Sequence, residues 1–168
     1  MWKLARDSGR LDLNSPYAYL LFAEHFSDTC LIAESEGDPV GFALGFRTPA
    51  RADTLFIWQI AVAPKERKNG IGVSMLTALL DDLSEDLRHD GIRYLEATVT
   101  PSNMASQRMF RSLADRLETA FEEGVTPVFS EDMFPKHEDT HEEEWSIRIG
   151  PIEMTAARRE APNSLAIA

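Results

Sequence analysis

Apolar and polar positions along this chain follow two periods, and the places where one gives way to the other mark its elements. Residues 1–8 are helix-like, and Gly9 can end that helix. A polar turn follows through Leu11 to Tyr17, with Ser15 placed as an N-cap and Pro16 at the first position of a helix over 16–26. Residues 29–34 and 40–46 alternate as strands. Glu36-Gly37-Asp38-Pro39 between them is a turn, which predicts a hairpin. A third, central strand is expected over 54–62. Helical spacing then appears at Met75, Leu76, Leu79, Leu80 and Leu83, within 72–87. Gly91 punctuates, 93–100 is a strand, and Pro101-Ser102-Asn103 opens a helix to about 117. Strand patterns at 125–129 and 144–149 flank a long polar loop. The order predicts an α/β fold on a mixed sheet, with one domain over 1–150 and a mobile tail over 151–168.

The junction between the third strand and the next helix carries the most chemistry. The apolar run ends in Ala61-Val62-Ala63-Pro64, and Arg67-Lys68-Asn69-Gly70-Ile71-Gly72 leads into the helix. A helix start offers unpaired N–H groups and the positive end of the helix dipole, and glycine lets an anion approach them. The spacing fits Arg/Gln-x-x-Gly-x-Gly/Ala, a pyrophosphate grip. It does not fit a P-loop, because Val73-Ser74 follows Gly72, nor a dinucleotide fingerprint, because Met75 stands at the third glycine position. A basic turn before an amphipathic helix is the bland alternative.

Composition narrows the classes. Of 168 residues, 43% are hydrophobic, enough for one core. No apolar run approaches the ~18 residues of a membrane span. Charges interrupt the first residues before any apolar block, unlike a signal peptide, so the expected location is cytoplasmic. The net charge of −11 disfavours nucleic acid and anionic membranes as partners, and permits a cationic substrate. Much of that charge lies between Glu118 and Glu144, where a solvated face is the simplest reading. Cys30, the single cysteine, reads as a buried strand thiol.

The strand, the Ala-Val-Ala-Pro exit, the loop and a second strand-helix unit resemble the GNAT superfamily of acetyl-CoA-dependent N-acetyltransferases. That resemblance implies a GNAT-like, mostly antiparallel central sheet flanked by helices. The superfamily's usual first strand is expected to be absent here. Within the superfamily, four segments are similar to the diaminobutyrate acetyltransferases of ectoine biosynthesis: Leu11 to Leu21, Asp53 to Val62, Tyr94 to Asn103, and Met133-Phe134-Pro135 with His137-Glu138-Asp139. The implied reaction moves the acetyl group of acetyl-CoA to the 4-amino group of L-2,4-diaminobutyrate. A homodimer is also implied.

By the same resemblance, the main chain of Ile60, Ala61 and Val62 would hold the pantetheine arm, with the Val62 N–H as oxyanion donor. Arg67, Lys68, Asn69, Gly70, Ile71 and Gly72 would hold the pyrophosphate. Asn103 would contact the coenzyme or serve simply as an N-cap. Phe110 stands where the superfamily often has a tyrosine acid, which leaves the proton donor to the thiolate open. Candidate bases are Glu96, His137 and Glu138. Asp12, Tyr17, Trp58 and Glu138 are candidate substrate contacts, with Asp12 also readable as a helix-entry cap and Trp58 as core. No nucleophile triad is legible, which favours direct transfer in a ternary complex over an acyl-enzyme. His141 and the carboxylates near it lack metal-ligand spacing, so no metal is expected. Acetylation of another small amine, and a non-catalytic acetyl-CoA-binding module, are the competing readings.

Overall fold

The computed structural model describes residues 1–9, 11–85, 91–135 and 141–153. Helix α1 spans Trp2–Ser8 and ends at Gly9, which takes the left-handed conformation at φ 62°. Helix α2 spans Pro16–His25, with Pro16 in its first turn as the sequence predicts. Strands β1 (Cys30–Ser35) and β2 (Asp38–Thr48) form the expected hairpin. Its turn uses positive φ at Glu36 and Gly37. Strand β3 (Arg51–Val62) leads through the basic loop to α3 (Ile71–Glu85). After it come β4 (Tyr94–Val99), α4 (Met104–Leu117), β5 (Phe121–Phe129) and β6 (Glu144–Ile149).

The strands form one sheet in the order β1-β2-β3-β4-β6-β5. Only the β3–β4 contact is parallel; the other four are antiparallel. Among the described residues no strand precedes α1. The sheet separates two cores. On one face α3 and α4 bury Met75, Leu76, Leu79, Leu80, Leu83, Phe110 and Leu113 against Leu55, Ile57, Leu95, Ala97, Ile147 and Ile149. On the other, α1 and α2 bury Ala5, Tyr19 and Phe22 against Phe42, Leu44 and Ala61. Packing continues past the predicted boundary at 150. Ile152 is 3% exposed and joins the larger core, and its N–H donates to the Arg93 carbonyl at 2.7 Å. Residues 154–168, most of the expected tail, lie outside the described residues.

A bulge in β3 governs the site. Leu44 of β2 faces Gln59, whereas the next residue, Gly45, faces Ile57, so Trp58 is the extra residue. Before it, Leu55 and Ile57 point to the α3 side; after it, Ile60 and Val62 do. Trp58 and Gln59 therefore both face α2. There Trp58 stacks on Phe22 at 4.7 Å between centroids and 11° between planes. Gln59 accepts from the Tyr19 hydroxyl at 3.0 Å.

Candidate active site

Parallel pairing of β3 and β4 runs only from Thr54/Tyr94 to Ile57/Ala97. Beyond that point no pairing joins them, and a cleft of about 610 Å3 opens between. Its walls include Trp58 to Ile60 from β3, Thr98 and Val99 from β4, Asn103 and Ser106 from α4, Asp12, and His141 to Glu144 in part. The buried Phe110 ring closes its floor.

The open edge of β3 can be read from the ladder. The Ala63 N–H donates to the Val40 carbonyl of β2 at 2.7 Å. Main-chain groups of neighbouring strand residues point to opposite edges. The N–H groups of Val62 and Ile60 therefore point into the splay. Ala61 pairs with Phe42, so its main chain is committed to β2 and its side chain to the α1–α2 core. Ala61, expected among the coenzyme contacts, is thus turned away from the open edge.

The loop after β3 is shaped for an anion. Lys68 and Gly70 have φ of 69° and 77°, and a side chain at Gly70 would meet nothing within 4 Å. The first-turn N–H groups of α3 lie beyond, without intrahelical partners. Gly72 sits close against α4: a Cβ there would lie 2.6 Å from the Met109 sulfur, so that flexible side chain would have to shift. Lys68 and Asn69 are exposed beside this turn. Arg67 instead donates to the Val62 carbonyl at 3.1 Å and the Ser8 carbonyl at 3.0 Å. This open edge and loop fit a pantetheine arm ending in a pyrophosphate. Asn103 is the N-cap that the sequence offers, its side chain accepting from the Ser106 N–H at 3.2 Å, and it also lines the cleft.

At the other end of the cleft stands a charged cluster. The Asp12 carboxylate meets His141 Nε2 at 2.9 Å, and Glu144 Oε1 lies 3.9 Å from the same nitrogen. His141 Nδ1 is 2.6 Å from the Glu142 carbonyl, and its ring stacks on Phe134 at 3.9 Å. The Glu142 carbonyl and the Asp12 and Glu144 carboxylates raise the His141 pKa above its ordinary value, against partial burial. Burial also pushes the Glu144 carboxyl up, although a Thr98 hydrogen bond and His141 oppose it. Glu144 Oε2 is buried and finds no hydrogen-bond partner among the described residues. Asp12 is clamped from below, its carbonyl accepting from Gln59 Nε2 at 2.9 Å. The hydrogen bonds Tyr19 to Gln59 to Asp12 tie residues 11–14 after α1, the candidate acceptor loop, to the bulge.

Other expected residues sit elsewhere. Glu96 pairs with Phe56, upstream of the splay, and is held by Arg51 and Arg148 in a second hollow of the sheet. Two guanidiniums occupy its carboxylate, and it does not line the cleft. Tyr17 is 71% exposed on the outer side of α2, while Tyr19, two residues on, is 4% exposed and faces inward. His137 and Glu138 lie outside the described residues. Sequence reasoning passed over Glu144, His141 as a cleft residue, Gln59 and Tyr19. The available signals were a glutamate opening a strand, and a glutamine inside an apolar strand where a buried amide needs partners. Among the described residues no group of three or more His, Cys, Asp and Glu has metal-binding geometry.

A central sheet split between two parallel strands, with an anion loop after the first, is the frame of an acyl-CoA-dependent acetyltransferase. The sequence model of the acetyltransferase (GNAT) family matches residues 1–114. Curated relatives narrow it. An L-2,4-diaminobutyric acid acetyltransferase of Shouchella clausii is 46% identical over 153 residues, covering 90% of this chain and 80% of that one. One of Marinococcus halophilus is 45% identical, covering 90% and 83%. A solved diaminobutyrate acetyltransferase of Paenibacillus lautus, in complex with L-2,4-diaminobutyric acid and coenzyme A, superposes with a TM-score of 0.81 at 45% identity. That match covers 92% of this chain and 89% of the other. The chain belongs to the GNAT acetyltransferases and, within them, to the L-2,4-diaminobutyric acid acetyltransferase family.

Proposed function

We propose that this chain transfers the acetyl group of acetyl-CoA to the 4-amino group of L-2,4-diaminobutyrate, giving N4-acetyl-diaminobutyrate for ectoine biosynthesis. The observation that carries this reading is the Asp12–His141–Glu144 cluster at the mouth of the β3–β4 splay. Two carboxylates suit a substrate with two ammonium groups, and the imidazole between them, whose N–H can donate, suits its carboxylate. The names of the relatives, and the two ligands of the Paenibacillus lautus structure, support the same substrate pair.

Acetyl-CoA supplies the acetyl group as an activated thioester. The Val62 and Ile60 main chain hold the pantetheine arm, and the Val62 N–H faces the position where the carbonyl oxygen gains charge. The loop from Lys68 to Gly72 holds the pyrophosphate. An alkyl ammonium has a pKa near about 10.4, so a proton must leave before nitrogen attacks. Glu144 is the group suited to accept it, because burial has made it a stronger base than an exposed carboxylate. Asp12 and His141 hold the amino-acid end, and Trp58 walls the pocket from its stack on Phe22. As nitrogen bonds to the acetyl carbon, the C–S bond breaks and the thiolate takes a proton.

The exposed apolar residues of the edge strand β5, Val125 at 91% and Phe129 at 45%, support a homodimer through this edge. Among the described residues no helix is long and apolar enough to cross a membrane. Acetyl-CoA is an intracellular metabolite, which supports action in the cytoplasm. The test is free-thiol release from acetyl-CoA with L-2,4-diaminobutyrate, with NMR identification of the acetylated nitrogen. Acetylation at the 4-amino group is expected. Turnover only with amines lacking the α-carboxylate would overturn the reading.

A further inference from the structure

We propose that Arg67 is a positioning residue that links the coenzyme loop to the acceptor loop, so that coenzyme A and diaminobutyrate bind cooperatively. Arg67 opens the phosphate loop, yet its side chain turns back from it. Its Nε donates to the Val62 carbonyl at 3.1 Å, at the end of the splayed strand. Its Nη2 donates to the Ser8 carbonyl at 3.0 Å, at the end of α1. A helix C-terminus leaves carbonyls without intrahelical partners, and a cation there satisfies one of them.

Ser8 passes the constraint on. Its hydroxyl donates to the Ala5 carbonyl at 2.7 Å and accepts the Leu11 N–H at 3.3 Å. Leu11 precedes Asp12, whose carboxylate meets His141. The acceptor loop is therefore pinned twice, through Gln59 to β3 and through Ser8 and Arg67 to the phosphate loop.

A pyrophosphate gripped by the N–H groups after Arg67 orders that loop and fixes the stem of the Arg67 side chain. The ordered fork then holds Ser8, and with it the first residues of the acceptor loop. Ordering completed by one ligand need not be repeated for the other, which is positive cooperativity. By linkage the effect is reciprocal. A lysine at this position would keep the charge but could not span two carbonyls on separate elements.

The coupling rests on coenzyme A and diaminobutyrate being the two ligands. The experiment is calorimetric titration of the folded protein with diaminobutyrate, with and without saturating coenzyme A. Wild type, Arg67→Lys and Ser8→Ala would be compared. In wild type, coenzyme A should tighten diaminobutyrate binding at least about fivefold, the lower end of typical coupling. In Arg67→Lys the ratio should fall to about one, and in Ser8→Ala it should also fall. With acetyl-CoA saturating, Arg67→Lys should raise KM for the amine while kcat stays within about twofold. A ratio of one in wild type, or an unchanged ratio in both variants, overturns the coupling alone. Weaker coenzyme A binding in Arg67→Lys with the ratio intact would make Arg67 a direct phosphate contact and overturn it too. If diaminobutyrate binds wild type under neither condition, the functional reading fails and the coupling fails with it.

Discussion

Asp12 and His141 are 129 positions apart in the chain, and their side chains meet at 2.9 Å. Their contact closes the acceptor end of the cleft by joining the segment after α1 to the segment before β6. Each partner is also held from behind, Asp12 by Gln59 and His141 by its stack on Phe134. The pair is therefore held in place from both sides.

Because the folded protein raises the His141 pKa above 6.5, the native state binds this proton more tightly than the unfolded chain does. The stability so gained is complete below pH 6.5 and disappears as pH rises through the folded value. His141→Gln should therefore lower Tm most between about pH 5 and 6.5, with the gap to wild type narrowing above it. Thermal unfolding followed by circular dichroism across pH 5–9 checks this. A gap that is flat with pH would remove the charged form of His141 from the account.

Glu144→Gln should leave coenzyme A affinity within about twofold while lowering kcat by roughly 100-fold or more, as expected for loss of a general base. Steady-state thiol release and coenzyme titration separate the two effects. Full activity in this variant would return the search for the base to the segment holding His137 and Glu138.

Glu96→Gln tests the opposite expectation. Glu96 serves Arg51 and Arg148, upstream of the splay. Its loss should cost about 1 kcal/mol of stability, or about 2–4 °C in Tm, with kcat/KM within about twofold of wild type. A large loss of turnover at unchanged Tm would put Glu96 back in the chemistry.

Gly70→Ala places a side chain at φ 77°. The left-handed conformation costs an alanine about 1–2 kcal/mol, and relaxing it would move the loop N–H groups. Coenzyme A should bind about tenfold more weakly by calorimetry, with Tm lowered by a few degrees. Unchanged affinity would show that the loop tolerates a second geometry.

Local signals made the candidate coenzyme loop legible. A strand, a proline, a basic turn and two glycines lie within fifteen residues, and each has a local conformational reason. The acceptor half depends on register. Glu96 and Thr98 alternate on one face of β4, yet pairing with β3 stops after Ala97, so only Thr98 reaches the cleft. No pattern in the sequence marks where two strands part. Glu144 reads as an ordinary polar position until β6 places it beside Thr98, which stands on the β4 strand that β6 joins. Tyr17 and Tyr19 are equally aromatic in sequence, and the helical turn decides which one faces inward.

The extra residue at Trp58 makes the length of β3 as constrained as its composition. Deleting that one residue would restore an unbroken ladder with β2 and leave Ile57, Ile60 and Val62 on the α3 face, with Gln59 still opposite Leu44. The stack of Trp58 on Phe22 would go, and with the kink removed β3 would be free to follow β4 past Ile57, where their pairing now stops and the cleft begins. Substitutions along this strand can be absorbed one at a time, whereas loss of the extra residue removes the kink that holds the cleft open. Among related chains, β3 should therefore vary in letters while keeping its residue count.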